Sequence, residues 1–310
     1  RGFSVTVLWA VLALDLWALK WLGLWNALIK PSAQRASQAA FNSIALWPWI
    51  VLTACATGEG GAKGNAGLVE SEETIATPDG SADAFFVRPA KGRHPGVVMW
   101  PDIAGLRDAY KEMGRRLAGA GYAVLVVNHY YRSARAPILE TMAQWRSPEG
   151  QARLKPMIAL LNPAGTLRDA AAFVAWLDTR KEVDRARGIG SQGYCQTGSF
   201  AIRTAVAAPG RVKAVGSFHG GGLVSEAPDS PHRLFAQTRA SYLIAIARND
   251  DARSPGDKDA LRAAADAAGR PAEIEVYSAD HGWCTLDAPM YDKVEAEKAW
   301  ARLLKLLARL

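Results

Sequence analysis

The chain has 310 residues, of which 49% are hydrophobic, and a formal net charge of +7. That hydrophobic share excludes a disordered chain, and the length suits one large α/β domain with extensions or two small domains. The charge is diffuse: residues 1–64 hold five Lys/Arg against two Asp/Glu, and the remaining +4 is spread over the rest with mixed signs, so no nucleic-acid partner is expected.

Residues 1–54 hold six of the eleven tryptophans and read as a hydrophobic leader. An apolar run over 41–52 follows Arg35 and ends in Leu52-Thr53-Ala54-Cys55. Arg, a short apolar stretch and small residues before Cys resemble a bacterial lipoprotein signal, with Cys55 as the lipidation candidate. The run is short for a membrane span. This reading expects a lipid-anchored protein of the bacterial cell envelope, facing the periplasm and tethered to the membrane by its N-terminus. Two readings compete with it: a membrane-anchor helix carrying Asp15 and Lys20 at a cost, or upstream sequence ahead of a cytoplasmic protein. Residues 55–67 are Gly-rich and read as a flexible linker to a domain at 68–310. No strand precedes and no helix follows Gly58-Glu59-Gly60-Gly61-Ala62-Lys63-Gly64, so it is not read as a phosphate loop.

Leu68–Thr77 and 84–89 are rich in β-formers and flank Pro78-Asp79-Gly80, which predicts an antiparallel pair. Gly96–Trp100 is a short buried-strand run, and 122–127 is another. Between them Asp108–Gly119 carries Tyr110, Met113 and Leu117 at helical spacing. Thr166 reads as the cap of a helix whose Leu167, Ala171, Val174 and Leu177 share a face. A strand over 186–194 leads into Cys195, and Val212–Phe218, 242–247 and 273–277 are further strands. Helices are expected at 260–268 and 291–310, the second with Ala296, Trp300, Leu303, Leu304 and Leu307 on its apolar face. Continuous apolar strands alternating with helices predict an α/β fold, a mostly parallel central sheet with helices on both faces. Ligands of such sheets bind beyond the carboxyl ends of the strands.

Gly193-Tyr194-Cys195-Gln196-Thr197-Gly198 sits at one such end and has the form of a nucleophile elbow with cysteine in the serine's place. A sharp strand-to-helix turn lifts the side chain above the sheet, and small residues let the two backbones approach. A thiol nucleophile needs a base and an orienting acid, which in this architecture follow it in the order acid, then base. Asp250 or Asp251 comes off strand 242–247, Asp250 first, and His281 comes off strand 273–277. Cys195, Asp250 and His281 are therefore the candidate catalytic residues. The three cysteines, Cys55, Cys195 and Cys284, form no CxxC pair and no disulfide framework. The five histidines show no HExxH spacing, so no metal or other cofactor is expected. Cys284 reads as a packed thiol, with a bond to Cys195 left open for an oxidising compartment. Tyr131, Arg132, His219 and Trp283 are candidate pocket residues.

The chain resembles the dienelactone hydrolase family of the α/β-hydrolase superfamily over roughly 70–310. The resemblance rests on Trp100-Pro101-Asp102-Ile103-Ala104-Gly105-Leu106-Arg107, on Arg116 through Leu125, on Gly193-Tyr194-Cys195 and on His281-Gly282-Trp283. It implies a carboxymethylenebutenolidase-like hydrolase of small esters or lactones working through an acyl-thioenzyme. It further implies that Asp102 contacts the resting thiol, and that the Ile103 and Gln196 N–H groups form the oxyanion hole. The chain departs from the family in three places. Thr197 stands where Gly is usual, and its β-branch is expected to push helix and strand apart. Thr285 stands where the namesake enzymes carry a substrate-gripping Arg, and Asp102 is one methylene shorter than their Glu. Two other functions fit the same motifs: a membrane-tethered, non-catalytic binding module on a hydrolase fold, or an acyltransferase.

Overall fold

The computed structural model describes residues 67–310; the leader, Cys55 and the linker up to residue 66 lie outside the described residues. Eight strands form one sheet in the order β1-β2-β4-β3-β5-β6-β7-β8. They are β1 (Leu68–Thr77), β2 (Gly80–Pro89), β3 (Gly96–Trp100), β4 (Ala123–Val127), β5 (Ile189–Tyr194), β6 (Val212–Phe218), β7 (Ser241–Ala247) and β8 (Ala272–Tyr277). β1 and β2 pair antiparallel, as does β2 with β4, and every other pairing is parallel.

The helices are α1 (Asp108–Gly119), α2 (Met142–Trp145), α3 (Pro148–Ala159), α4 (Pro163–Thr179), α5 (Gly198–Ala207), α6 (Arg248–Arg253), α7 (Asp257–Ala267) and α8 (Lys293–Leu307). Because strand side chains alternate between faces, β3 feeds two cores. Val98 and Trp100 pack with Phe173 and Leu177 of α4 and Ile202 of α5, while Val97 and Met99 pack with Leu117 of α1 and Leu303 of α8. The sheet is thus covered on both faces, which is why β3, β4 and β5 are buried along their whole length. Among the described residues no helix is long and apolar enough to cross a membrane.

Three local readings change. α4 starts at Pro163, not at Thr166: the Asn162 side chain accepts from Gly165 N at 2.8 Å, and Pro163 takes the first helical position, where no N–H is needed. α8 is capped by Asp292, which accepts from Val294 N and Glu295 N. Its buried face is Ala296, Ala299, Leu303, Leu306 and Leu307, while Trp300 is half-buried beneath the Arg116 guanidinium, 4.2 Å from its ring centre. Two helices, α2 and α3, occupy the segment between β4 and α4 and pack on a small separate cluster of Ala104, Tyr130, Ile138, Leu139 and Leu154. The carboxyl ends of β3, β5, β7 and β8 bring Asp102, Cys195, Asp250 and His281 to one edge of the sheet.

Candidate active site

Cys195 follows directly on β5 with a φ of 57°, a left-handed conformation that costs a non-glycine residue of order 1–3 kcal/mol. Close packing on either side holds it there. A Cβ on Gly193 would strike the Thr197 carbonyl oxygen, and one on Gly198 would strike the Ser217 hydroxyl and the Gly220 Cα. Thr197 does not push helix and strand apart. Its side chain is fully buried, its hydroxyl accepts from Tyr194 N at 2.9 Å, and the Trp100 and Tyr194 carbonyl oxygens each lie 2.9 Å from it as acceptors. The hydroxyl therefore pins the end of β5 to the end of β3. Thr197→Val keeps the shape and leaves the buried Tyr194 N–H unpaired. It should lower stability by about 1–3 kcal/mol in urea unfolding, and Thr197→Gly should lower it too; a gain in stability with Gly would contradict this role.

The His281 Nδ1 lies 2.6 Å from Asp250 Oδ2, and the same ring lines one cavity with Cys195. Asp251 instead pairs with Lys258 Nζ at 2.7 Å, and Asn249 Oδ1 accepts from His281 N at 2.9 Å. Burial pulls the imidazolium toward lower pKa, but the bond to Asp250 and the neighbouring Cys195 outweigh it and raise His281 to about 10. Because the folded value lies above the unfolded 6.5, the stabilisation is complete below about pH 6.5 and is lost as pH rises through about 10. Asp250→Asn removes the strongest raising partner, so the titration midpoint of His281, followed by proton NMR, should move acidward and the alkaline loss of stability should shrink. An unchanged midpoint would disconnect the two residues.

Backbone donors on both sides of the thiol have fixed directions. In a trans peptide the N–H points opposite to the C=O. Cys195 O accepts from Gly221 N at 3.1 Å, which turns the Gln196 N–H the other way. Asp102 O accepts from Gly105 N at 2.9 Å, which does the same for the Ile103 N–H. The Cys195 N–H is taken by His219 Nδ1 at 3.1 Å. His219 is fully buried, and burial followed by the nearby His281 pushes it well below its usual pKa, so it is neutral. A ring that accepts at Nδ1 carries its proton on Nε2, and that atom has no partner among the described residues.

Asp102 makes its carboxylate hydrogen bonds with groups other than the thiol that the family resemblance assigns it. Its carboxylate is held by Arg107, with Nη1 2.7 Å from Oδ1 and Nη2 3.0 Å from Oδ2, and by Ala104 N at 2.9 Å. Arg107 also donates from Nε and Nη2 to Asp287, at 2.8 and 2.7 Å. Asp287 in turn accepts from Met142 N at 2.9 Å, at the start of α2. This buried Asp102–Arg107–Asp287 chain joins the loop after β3, the loop after β8 and the α2–α3 segment. Arg107 closes the Trp100–Arg107 stretch without a role assigned to it there, and Asp287 lies in no motif.

A cavity of about 250 Å³ opens at Cys195 and His281. Its walls include Asp102, Ile103, His219, Met142, Trp145 and Met290. The other expected pocket residues lie elsewhere. Tyr131 bonds Thr77 and Asp169, each at 2.7 Å, and Arg132 forms ion pairs with Asp79 and Asp169. Tyr131 braces β1 against α4, and Arg132 braces the turn between β1 and β2 against α4. Trp283 is fully buried behind His219, with ring centres 5.1 Å apart, and stacks on Tyr277. Thr285 is buried against the Tyr110 hydroxyl at 3.2 Å. Cys195 and Cys284 are both free thiols, and burial pushes the Cys284 thiol well up. Among the described residues no three His, Cys, Asp or Glu side chains are grouped to hold a metal.

The model of the dienelactone hydrolase family matches residues 82–310. A protein named "Putative carboxymethylenebutenolidase" from Methylorubrum extorquens is 27% identical over 242 residues, covering 76% of this chain and 80% of its own. The crystal structure of a "putative dienelactone hydrolase" from Klebsiella pneumoniae matches with a TM-score of 0.68 at 23% identity, over 78% of this chain and 99% of its own. A dienelactone hydrolase-like promiscuous phosphotriesterase from metagenomic libraries matches with a TM-score of 0.63 at 21% identity, over 79% and 99%. The structural likenesses establish the α/β-hydrolase fold.

Proposed function

The chain belongs to the dienelactone hydrolase family and is a lactone or ester hydrolase, and from that premise we propose that it cleaves small carboxylic esters or lactones through Cys195, His281 and Asp250. The observation that carries this reading is the His281–Asp250 bond of 2.6 Å at a cavity that Cys195, on its strained turn, also lines. His281 takes the Cys195 proton, the thiolate attacks the carbonyl carbon, and the Ile103 and Gln196 N–H groups stabilise the resulting oxyanion. Collapse of the tetrahedral intermediate expels the alcohol oxygen, which takes a proton from His281 and leaves an acyl group on sulfur. Water, deprotonated by His281, attacks the thioester. The carboxylic acid departs and the thiol is regenerated. Asp250 orients the imidazole and stabilises its cationic form.

The direct test is alkylation. Iodoacetamide at one equivalent should modify Cys195, which is partly exposed, ahead of the buried Cys284, with the site assigned by peptide mapping. Hydrolysis of p-nitrophenyl acetate and of a five-membered lactone should fall in step with modification. Full turnover by protein alkylated at Cys195 would contradict the proposal. The membrane tether and the envelope location proposed from Cys55 need a separate test: recovery of the protein with bound lipid on Cys55 from membranes of a bacterial host.

A further inference from the structure

The two backbone donors assigned to the oxyanion hole sit on different loops, one after β3 and one after β5. Something must hold them in register, because a donor displaced by about 1 Å loses most of its effect. A part-buried chain of side-chain hydrogen bonds runs between the two loops. The Gln196 amide Nε2 donates to the Tyr130 hydroxyl at 2.7 Å, and that hydroxyl donates to the Ile103 carbonyl oxygen at 2.9 Å. Tyr130 is 1% exposed. Burial, despite the Gln196 bond, holds its phenol well above the usual pKa, so it stays a donor. The amide also approaches His129 Nε2 at 3.4 Å, and burial lowers His129 to about 3, leaving a neutral acceptor ring. The Ile103–Ala104 peptide is thereby fixed at both ends: its carbonyl by Tyr130 and its N–H by Asp102 Oδ1 at 2.9 Å.

Resting on the hydrolytic reading above, we propose that Tyr130 is a positioning residue: its hydroxyl ties the Gln196 side chain to the Ile103 carbonyl and so keeps the Ile103 and Gln196 N–H groups trained on one substrate oxygen. The hydroxyl touches no reacting atom. Its effect is confined to the step in which the carbonyl oxygen becomes anionic.

The test is Tyr130→Phe and Gln196→Met, singly and together. Gln196→Met keeps the backbone N–H and changes a half-exposed side chain, so it does not endanger folding. Each single variant should lower kcat for p-nitrophenyl acetate about 10- to 100-fold with little change in KM. The double variant should be no slower than the singles, since both break one chain. Alkylation of Cys195 by iodoacetamide forms no tetrahedral oxyanion, so its rate should match wild type in all three. A kcat within twofold of wild type in Tyr130→Phe would overturn the proposal, as would a fall in alkylation rate equal to the fall in kcat, which marks a merely structural role. Failure of the hydrolytic reading looks different: wild type itself would turn over nothing, or would turn over unchanged after Cys195 is alkylated, and the positioning role would fall with it.

Discussion

Replacing Cys195 by alanine is expected to slow ester hydrolysis by about 10⁵–10⁶-fold, because a nucleophile acts as a unit with its base and acid. The residual rate should come from the oxyanion donors and His281 acting on water. Thermal unfolding should barely change, since the thiol is partly exposed and only one atom is removed. The positive φ of 57° at Cys195 is a property of the turn and remains with alanine. The comparison therefore separates chemistry from folding. Steady-state kinetics and a melting curve on the same sample suffice, and Cys195→Ala with wild-type turnover would remove the thiol from the mechanism.

The second large effect concerns stability. Arg107→Met should destabilise the domain by about 3–5 kcal/mol, the usual cost of leaving a buried charge without its partner. Asp102 is fully buried and loses both guanidinium bonds. Burial opposes ionisation of Asp287, yet the Arg107 bonds hold its carboxyl below the usual range; that support also disappears. Adding Asp102→Asn should restore much of the loss, because the uncompensated charge is gone. Urea unfolding of the single and double variants measures both. Equal destabilisation in the two would mean that the effect arises from packing rather than from the stranded carboxylate.

What could be read from residue order was the layout of strand ends. Continuous apolar runs such as Gly96–Trp100 and Ala123–Val127 have one environment, a sheet buried on both faces. Asp250 follows the apolar strand Ser241–Ala247 and His281 follows the alternating strand Ala272–Tyr277, so their arrival at one edge was legible from strand order. The choice between Asp250 and Asp251 rested on position alone; the bond to His281 is made by Asp250, while Asp251 turns to Lys258. Side-chain direction beyond a strand end was not legible. Tyr130 and Tyr131 are adjacent, yet one reaches the loop after β3 and the other reaches Thr77 and Asp169. Asp102 illustrates the same limit, since a partner five residues on, Arg107, captures a carboxylate that motif analogy had assigned to the thiol. Thr197 was misjudged because its β-branch was weighed without its hydroxyl. Helix α3 escaped notice because it contains Pro156 and buries only Gly150 and Leu154, so no apolar stripe marks it.

The central claim, that hydrolysis passes through a thioester on Cys195, is tested most directly by trapping it. A slowly deacylated ester such as p-nitrophenyl trimethylacetate is mixed with the protein, quenched in acid, and followed by intact mass and peptide mapping. The expected result is one acyl group per chain on Cys195, formed with a stoichiometric burst of p-nitrophenol. Turnover without a burst, with the acyl group on another residue or on none, would contradict the account.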